Sequence, residues 1–224
     1  ALKGCCIGGR IHAFQSVGST MTIAHELARQ GAGEGTLVFA ARQEQGRGRL
    51  GRTWVSPAGG AYFSFIVKPA RPAADIPQLS LVAGLAGAET LRDAACLDPS
   101  VRWPNDLLIN GKKVGGILAE AKVSDTFQSG KSVRHFSKRE KCLTPYVVIG
   151  IGLNVSTDPR ELPEGSTSLA AEGAAHVSRE EVVAALCHHF DRWYDRWTAR
   201  GFGPIREALR PWIGGFGQPV KITA

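Results

Sequence analysis

The dipeptide Asn110-Gly111 is the strongest single constraint on how this chain folds. It sits between two apolar runs, 107–109 (LLI) and 114–123 (VGGILAEAKV). An Asn-Gly pair flanked in this way specifies a tight hairpin, because both turn residues must take positive φ and few other pairs do so cheaply. Further strand-like runs lie at 11–17 (IHAFQSV), 36–41 (TLVFAA), 61–67, 101–103 and 146–155 (YVVIGIGLNV). The short run 220–224 also reads as a strand.

Helical periodicity alternates with these runs. Ser19 offers an N-cap for an amphipathic helix over 20–30 that stops at Gly31. Residues 76–95 are apolar nearly all round with small residues interspersed, which suggests a buried central helix. Ser178 with Glu181 fits a capping box, and Val182, Val183, Leu186, Phe190, Trp193 and Trp197 follow as a helical stripe, so these tryptophans belong to a core. A shorter helix is expected over 204–209. The expected fold class is α+β: a mixed, largely antiparallel sheet with helices packed on it.

At 224 residues the chain suits one generous domain. The balance of 27 Lys+Arg against 20 Asp+Glu gives a formal charge of +7. That excess points toward anionic partners: nucleic acid, membrane headgroups, nucleotides or an acidic protein. No apolar run approaches the roughly 18 residues of a membrane span, and no secretory signal opens the chain. The odd set of five cysteines has no C-x-x-C spacing, which favours structural thiols in a reducing compartment. The polar stretch 124–143, rich in Lys and Arg, reads as a long exposed loop.

Two clusters carry candidate chemistry. The first, within 42–52, contains Gly46-Arg47-Gly48-Arg49-Leu50-Gly51, a formal G-x-G-x-x-G. The dinucleotide fingerprint also needs a helix directly after the glycines, and Thr53-Trp54-Val55-Ser56-Pro57 starts one poorly. What remains is four arginines on a backbone that can approach a ligand closely, with guanidinium forks that suit carboxylate and phosphate oxygens. The second cluster is Arg102-Trp103-Pro104-Asn105-Asp106, followed after the turn by Lys112-Lys113 and Gly115-Gly116. On a strand the two lysines point to opposite faces, so at most one faces a site. The glycine pair leaves room for a ligand against bare backbone. Asp106 could orient that lysine or bind a metal.

These residues resemble the biotin protein ligases, within the superfamily shared with lipoate ligases and octanoyltransferases. The resemblance runs from about Phe14 to the carboxyl end. It is carried by Ser19-Thr20, QEQGRGRLGRTWVSPAGGAYFS (43–64), VRWPNDLLINGKKVGGILAEA (101–121) and GIGLNV (150–155). The sister enzymes generally lack the intact GRGRLGRTW run.

The resemblance implies a two-step activity on biotin and MgATP: formation of biotinyl-5′-AMP, then transfer to a lysine of a biotin carboxyl carrier protein. It implies that Ser19, Thr20 and Gln43 hydrogen-bond the biotin head, with Met21 at its edge where many members have Asn. Arg47, Gly48 and Arg49 would lie in a ligand-ordered loop, with Gly115 and Gly116 beside the biotin. Spacing to Gly116-Ile117 selects Lys113 as the lysine at the α-phosphate and acyl carbonyl. Trp54 would flank the adenine, and Asn105, Asp106 and Asn154 would line the nucleotide and metal side, with Asp106 a magnesium ligand or the group that orients or deprotonates the acceptor lysine.

The whole of 1–224 then reads as a catalytic domain, without the N-terminal helix-turn-helix of repressor members and without the C-terminal SH3-like barrel beyond its first strand. The expected partners are a carrier protein and, as a possibility left open, a second copy of the chain; nucleic acid and membrane are not expected. The expected compartment is the cytoplasm, with organelle import open.

Overall fold

The computed structural model describes residues 6–122 and 146–214; the stretch 124–143 and the run 220–224 lie outside them. A seven-stranded sheet has the order β1-β2-β3-β7-β6-β5-β4. Its strands are β1 (Arg10–Phe14), β2 (Thr36–Ala40), β3 (Gly60–Val67), β4 (Pro99–Arg102), β5 (Asp106–Ile109), β6 (Lys112–Lys122) and β7 (Tyr146–Asn154). Only β1 and β2 pair in parallel, across α1 (Thr20–Arg29); every other neighbour is antiparallel. The α+β expectation holds.

The turn that opened the sequence reading joins β5 to β6. Asn110 has φ +49° and Gly111 φ +77°, the left-handed pair a two-residue hairpin demands. Boundaries differ from expectation where local pattern meets tertiary pairing. β1 ends at Phe14, and Val17 keeps only an isolated bridge to Gln43. β6 begins two residues before the apolar run, because Lys112 and Lys113 pair with Ile109 and Leu108. The central helix α2 is Leu79–Ala95; residues 73–78, which include Pro77, form a 3₁₀ turn instead. Proline has no N–H for the α-ladder and clashes with the preceding turn.

Helices cover the two sheet faces unequally. On one face α2 and α3 (Arg179–Arg200) pack with the inward residues of β3, β5, β6 and β7 into the main core, closed by α4 (Gly203–Leu209). Gly87 of α2 meets the sheet closely: a Cβ there would fall 2.6 Å from Leu107 Cδ1. On the other face α1 buries Met21, Ala24 and Ala28 against Val38, Ile66, Tyr146 and Val148. Its coverage stops where β7 turns to Gly150 and Gly152, and that uncovered stretch becomes the floor of a pocket.

The start of α3 has the expected capping box, with Ser178 Oγ accepting from Glu181 N–H and the Glu181 carboxylate accepting from Ser178 N–H. Ser178→Ala is expected to lower unfolding stability by about 1 kcal/mol, measured by urea denaturation. A loss indistinguishable from zero would mean that this cap does not hold α3 in solution. Ser19 differs: it occupies the N-cap position of α1 in extended backbone, but its side chain makes no capping bond.

Candidate active site

The pocket encloses about 410 Å³ between the start of α1, the loop 47–54 and the strands β6 and β7. One end is polar and closely wired. Thr20 Oγ1 donates to Gln43 Oε1 at 3.0 Å and lies 2.8 Å from Ser64 Oγ, while Thr20 N–H donates to the same Gln43 oxygen at 2.9 Å. Gln43 Nε2 donates to Ser56 Oγ, which donates in turn to the Trp54 carbonyl. Both polar groups of the Gln43 amide are thereby oriented before a ligand arrives. Ser19 is buried beside Thr20, and its Oγ has no hydrogen-bond partner among the described residues.

The floor is shaped by absent side chains. A Cβ on Gly150 would come within 2.5 Å of Met21 Sδ, and one on Gly116 within 2.7 Å of the Trp54 ring. A Cβ on Gly152 would overlap the Trp54 indole as well. Trp54 therefore fills the notch that Gly116 and Gly152 leave, and its buried Nε1 has no partner among the described residues. The room expected over Gly115-Gly116 is thus confined to Gly116, which lines the pocket and shares that space with Trp54. Gly115 faces the other side, where Leu153 and Leu107 press against it.

Over this floor the basic loop folds back on itself. Arg47 bridges to Thr53, Gly48 N–H donates to the Arg52 carbonyl at 2.7 Å, and Trp54 N–H donates to the Gly46 carbonyl. Arg49 opens a single 3₁₀ turn, not a helix, so no helix follows the glycines as the dinucleotide fingerprint requires, and that reading fails. Arg49 Nη1 donates to Asn105 Oδ1 at 3.1 Å, and Asn105 Nδ2 donates to the Ile117 carbonyl. Arg47 pairs with Glu120 of β6.

The two consecutive lysines separate as expected. Lys113 Nζ lies 2.6 Å from Asp106 Oδ1 and 5.1 Å from the centre of the Trp54 ring, within the pocket lining. Lys112 points outward to Glu172 at 3.6 Å. Arg102, opposite Asp106 in the β4–β5 pair, completes a cation–carboxylate–cation row at 2.7 Å. Burial alone would push the Asp106 carboxyl up; hydrogen bonds from Lys113 and Arg102, with their charges, outweigh it and hold the group below the usual carboxylate range. An ionised carboxylate spoken for by two cations is a poor base, and its geometry fits orienting Lys113.

The same pairing argues against Asp106 as a metal ligand. Both of its oxygens already face cations, and no group of three or more His, Cys, Asp or Glu among the described residues could hold a metal. Asn154 stands outside the main pocket. It lies in an adjoining cleft of about 350 Å³ that shares Trp54 and Lys113 with the main pocket, and its Nδ2 donates to the Thr167 carbonyl.

Sequence reasoning overlooked Ser56, Ser64 and Glu120. Glu120 follows Gly116 and Leu118 in the strand alternation, so its face was inferable; the two serines reach the site only through long-range pairing. No cysteine among Cys6, Cys96 and Cys187 forms a disulfide, and no described helix is long and apolar enough to cross a membrane.

Fold and site together define a sheet-based domain whose glycine-arginine loop closes over a pocket suited to an anionic small molecule. The chain belongs to the biotin/lipoate A/B protein ligase family, whose model matches residues 13–137. It is 35% identical over 225 residues to the bifunctional ligase/repressor BirA of Bacillus subtilis (strain 168), covering 98% of this chain and 64% of that protein. The biotin--[acetyl-CoA-carboxylase] ligase of Paracoccus denitrificans is 35% identical over 191 residues, 82% of this chain and 72% of its own length. Among solved structures, biotin protein ligase from Aquifex aeolicus in complex with biotin and ATP superposes with a TM-score of 0.72 at 29% identity, covering 92% of this chain and 79% of that one.

Proposed function

We propose that this domain activates biotin with ATP to biotinyl-5′-AMP and transfers the biotinyl group to a lysine of a biotin carboxyl carrier domain. One observation carries the reading: Lys113, aligned by Asp106, stands in a closed-over pocket with a polar end at Thr20 and Gln43 and an arginine loop above. The relatives' names and the biotin and ATP of the Aquifex aeolicus complex support it.

In the first step a biotin carboxylate oxygen attacks the α-phosphorus and the bond to pyrophosphate breaks. Two anions must meet, so cations placed beforehand lower the barrier. Lys113 sits on the pocket wall for that purpose, while Arg47 and Arg49 approach from the loop. The orphaned Ser19 Oγ and the Thr20–Gln43 pair would meet the polar head of biotin, with Met21 against its apolar side. The cleft holding Asn154 would take part of the nucleotide, and magnesium would arrive on the triphosphate. In the second step the carrier's lysine nitrogen attacks the acyl carbonyl and AMP leaves. Acyl-adenylates hydrolyse readily, so a loop that excludes water protects the intermediate.

The direct test is isotope exchange between pyrophosphate and ATP, which should require biotin. Exchange driven by lipoate or octanoate, and not by biotin, would overturn the assignment. Arg49→Gly removes the loop's tie to Asn105 and should let the adenylate escape, so that bystander proteins become biotinylated. Retention equal to the parent enzyme's, measured by streptavidin blot of a mixed protein pool, would contradict the lid role.

A further inference from the structure

Glu120 sits on β6 beyond Leu118 and bonds in two directions. Its Oε1 accepts from Arg47 Nη2 at 2.6 Å, and its Oε2 lies 2.9 Å from His25 Nε2. His25 is buried on α1, a turn after the Thr20 and Met21 that line the pocket, with its ring tilted against Tyr146 at 5.8 Å. His25 Nδ1 has no hydrogen-bond partner among the described residues, which leaves Glu120 as the polar anchor of that ring. The contact with His25, opposed by burial and reinforced by Arg47 and Lys122, holds the Glu120 carboxyl below its ordinary range.

Arg47 stands between two cavities. One is the ligand pocket; the other is a cleft on the far side of the same loop, lined by Leu118 and Glu120. The Arg47 side chain is 42% exposed and that of Glu120 23%, so the pair is not sealed in. A ligand carboxylate or phosphate would offer it the same charge that Glu120 offers now. Breaking a partly buried ion pair usually strands a charge. Here the Glu120 carboxylate keeps a hydrogen-bond partner, because its Oε2 stays on His25 Nε2.

From these contacts we infer that Glu120, seated on His25, is a positioning residue that holds Arg47 beside the pocket in the empty protein and yields it to the anionic group of the ligand. The inference relies on the proposed function for the identity of that ligand. The holding contact itself is independent of it.

Glu120→Gln keeps the size of the side chain and a hydrogen bond to His25 but removes the charge that holds Arg47. In the ligand-free protein, tryptic cleavage after Arg47 and Arg49 should then rise severalfold. In pyrophosphate exchange the KM for biotin should fall about threefold, the scale of one partly exposed ion pair, with kcat within twofold. His25→Phe preserves the packing against Tyr146 but removes the seat, so releasing Arg47 strands Glu120 and KM should rise. Opposite signs for the two variants distinguish positioning from mere structural support, which would move both in the same direction along with the thermal midpoint. A higher KM in Glu120→Gln, or unchanged loop cleavage, overturns the inference. If wild-type exchange ignores biotin while the difference in cleavage persists, the assigned substrate is wrong and the holding contact stands.

Discussion

Lys113→Ala should cut biotin-dependent pyrophosphate exchange by roughly 10²–10³-fold, the usual effect of deleting one prepositioned group that stabilises developing charge. The ammonium is held 2.6 Å from Asp106 and faces the pocket, so its position needs no reorganisation when the phosphate arrives. Removing it leaves Asp106 paired with Arg102 alone, and the site loses its innermost positive charge. The neighbouring substitution is the control. Lys112 is directed at Glu172, away from the pocket, so Lys112→Ala should leave the rate within about twofold, as ordinary for an exposed ion pair. Equal losses in the two variants would mean that the strand presents its faces differently from the structure. The effect should fall on kcat more than on the KM for biotin, because the interaction strengthens as charge develops at phosphorus.

Trp197→Ala should destabilise the fold by about 3–5 kcal/mol, the range for removing a large buried aromatic side chain. Trp197 is fully buried on α3, stacks on Tyr194 at 5.9 Å, and lies under the Arg71 guanidinium at 5.3 Å. Its Nε1 donates to Gln78 Oε1 at 2.7 Å, which fastens α3 to the turn before α2. The alanine variant loses the ring contacts and leaves that amide oxygen without its donor. Trp197→Phe should recover most of the stability and isolate the hydrogen bond, worth about 1 kcal/mol. Urea denaturation of both variants provides the measurement. A cost below about 1 kcal/mol for the alanine variant would show that α3 does not seal the core as described. Activity should decline only as the folded fraction declines, because Trp197 lies on the opposite face of the sheet from the pocket.

Much of this molecule is visible without coordinates. The hairpin at Asn110-Gly111, the capping box at Ser178 and the stripe ending at Trp197 are local signals, each fixed by a few bonds among near neighbours in sequence. That Lys112 and Lys113 part company was equally accessible, since alternation along a strand separates adjacent side chains; which of them faces the site came from the family resemblance. The basic glycine loop could likewise be separated from a dinucleotide motif, because the residues after it could not begin a helix.

Other assignments depended on which strands meet. Gly115 and Gly116 are adjacent and chemically identical, yet one packs on Leu153 in the core while the other receives Trp54 beneath the pocket. Asn154 belongs to a second cleft because the residues around Gly165 come alongside β6. Glu120 became Arg47's partner only when the loop closed across the sheet. In each case the deciding contact joins segments dozens of residues apart.

Sequence by itself therefore determined the element types, the turn, the caps and the chemistry available to this chain, because those follow from short-range sterics and hydrogen bonding. Tertiary structure decided which face of each strand looks into the pocket. The physical reason is the register shift between Leu107 and Leu108 together with the order of the strands, both set by long-range β-pairing that no local pattern encodes.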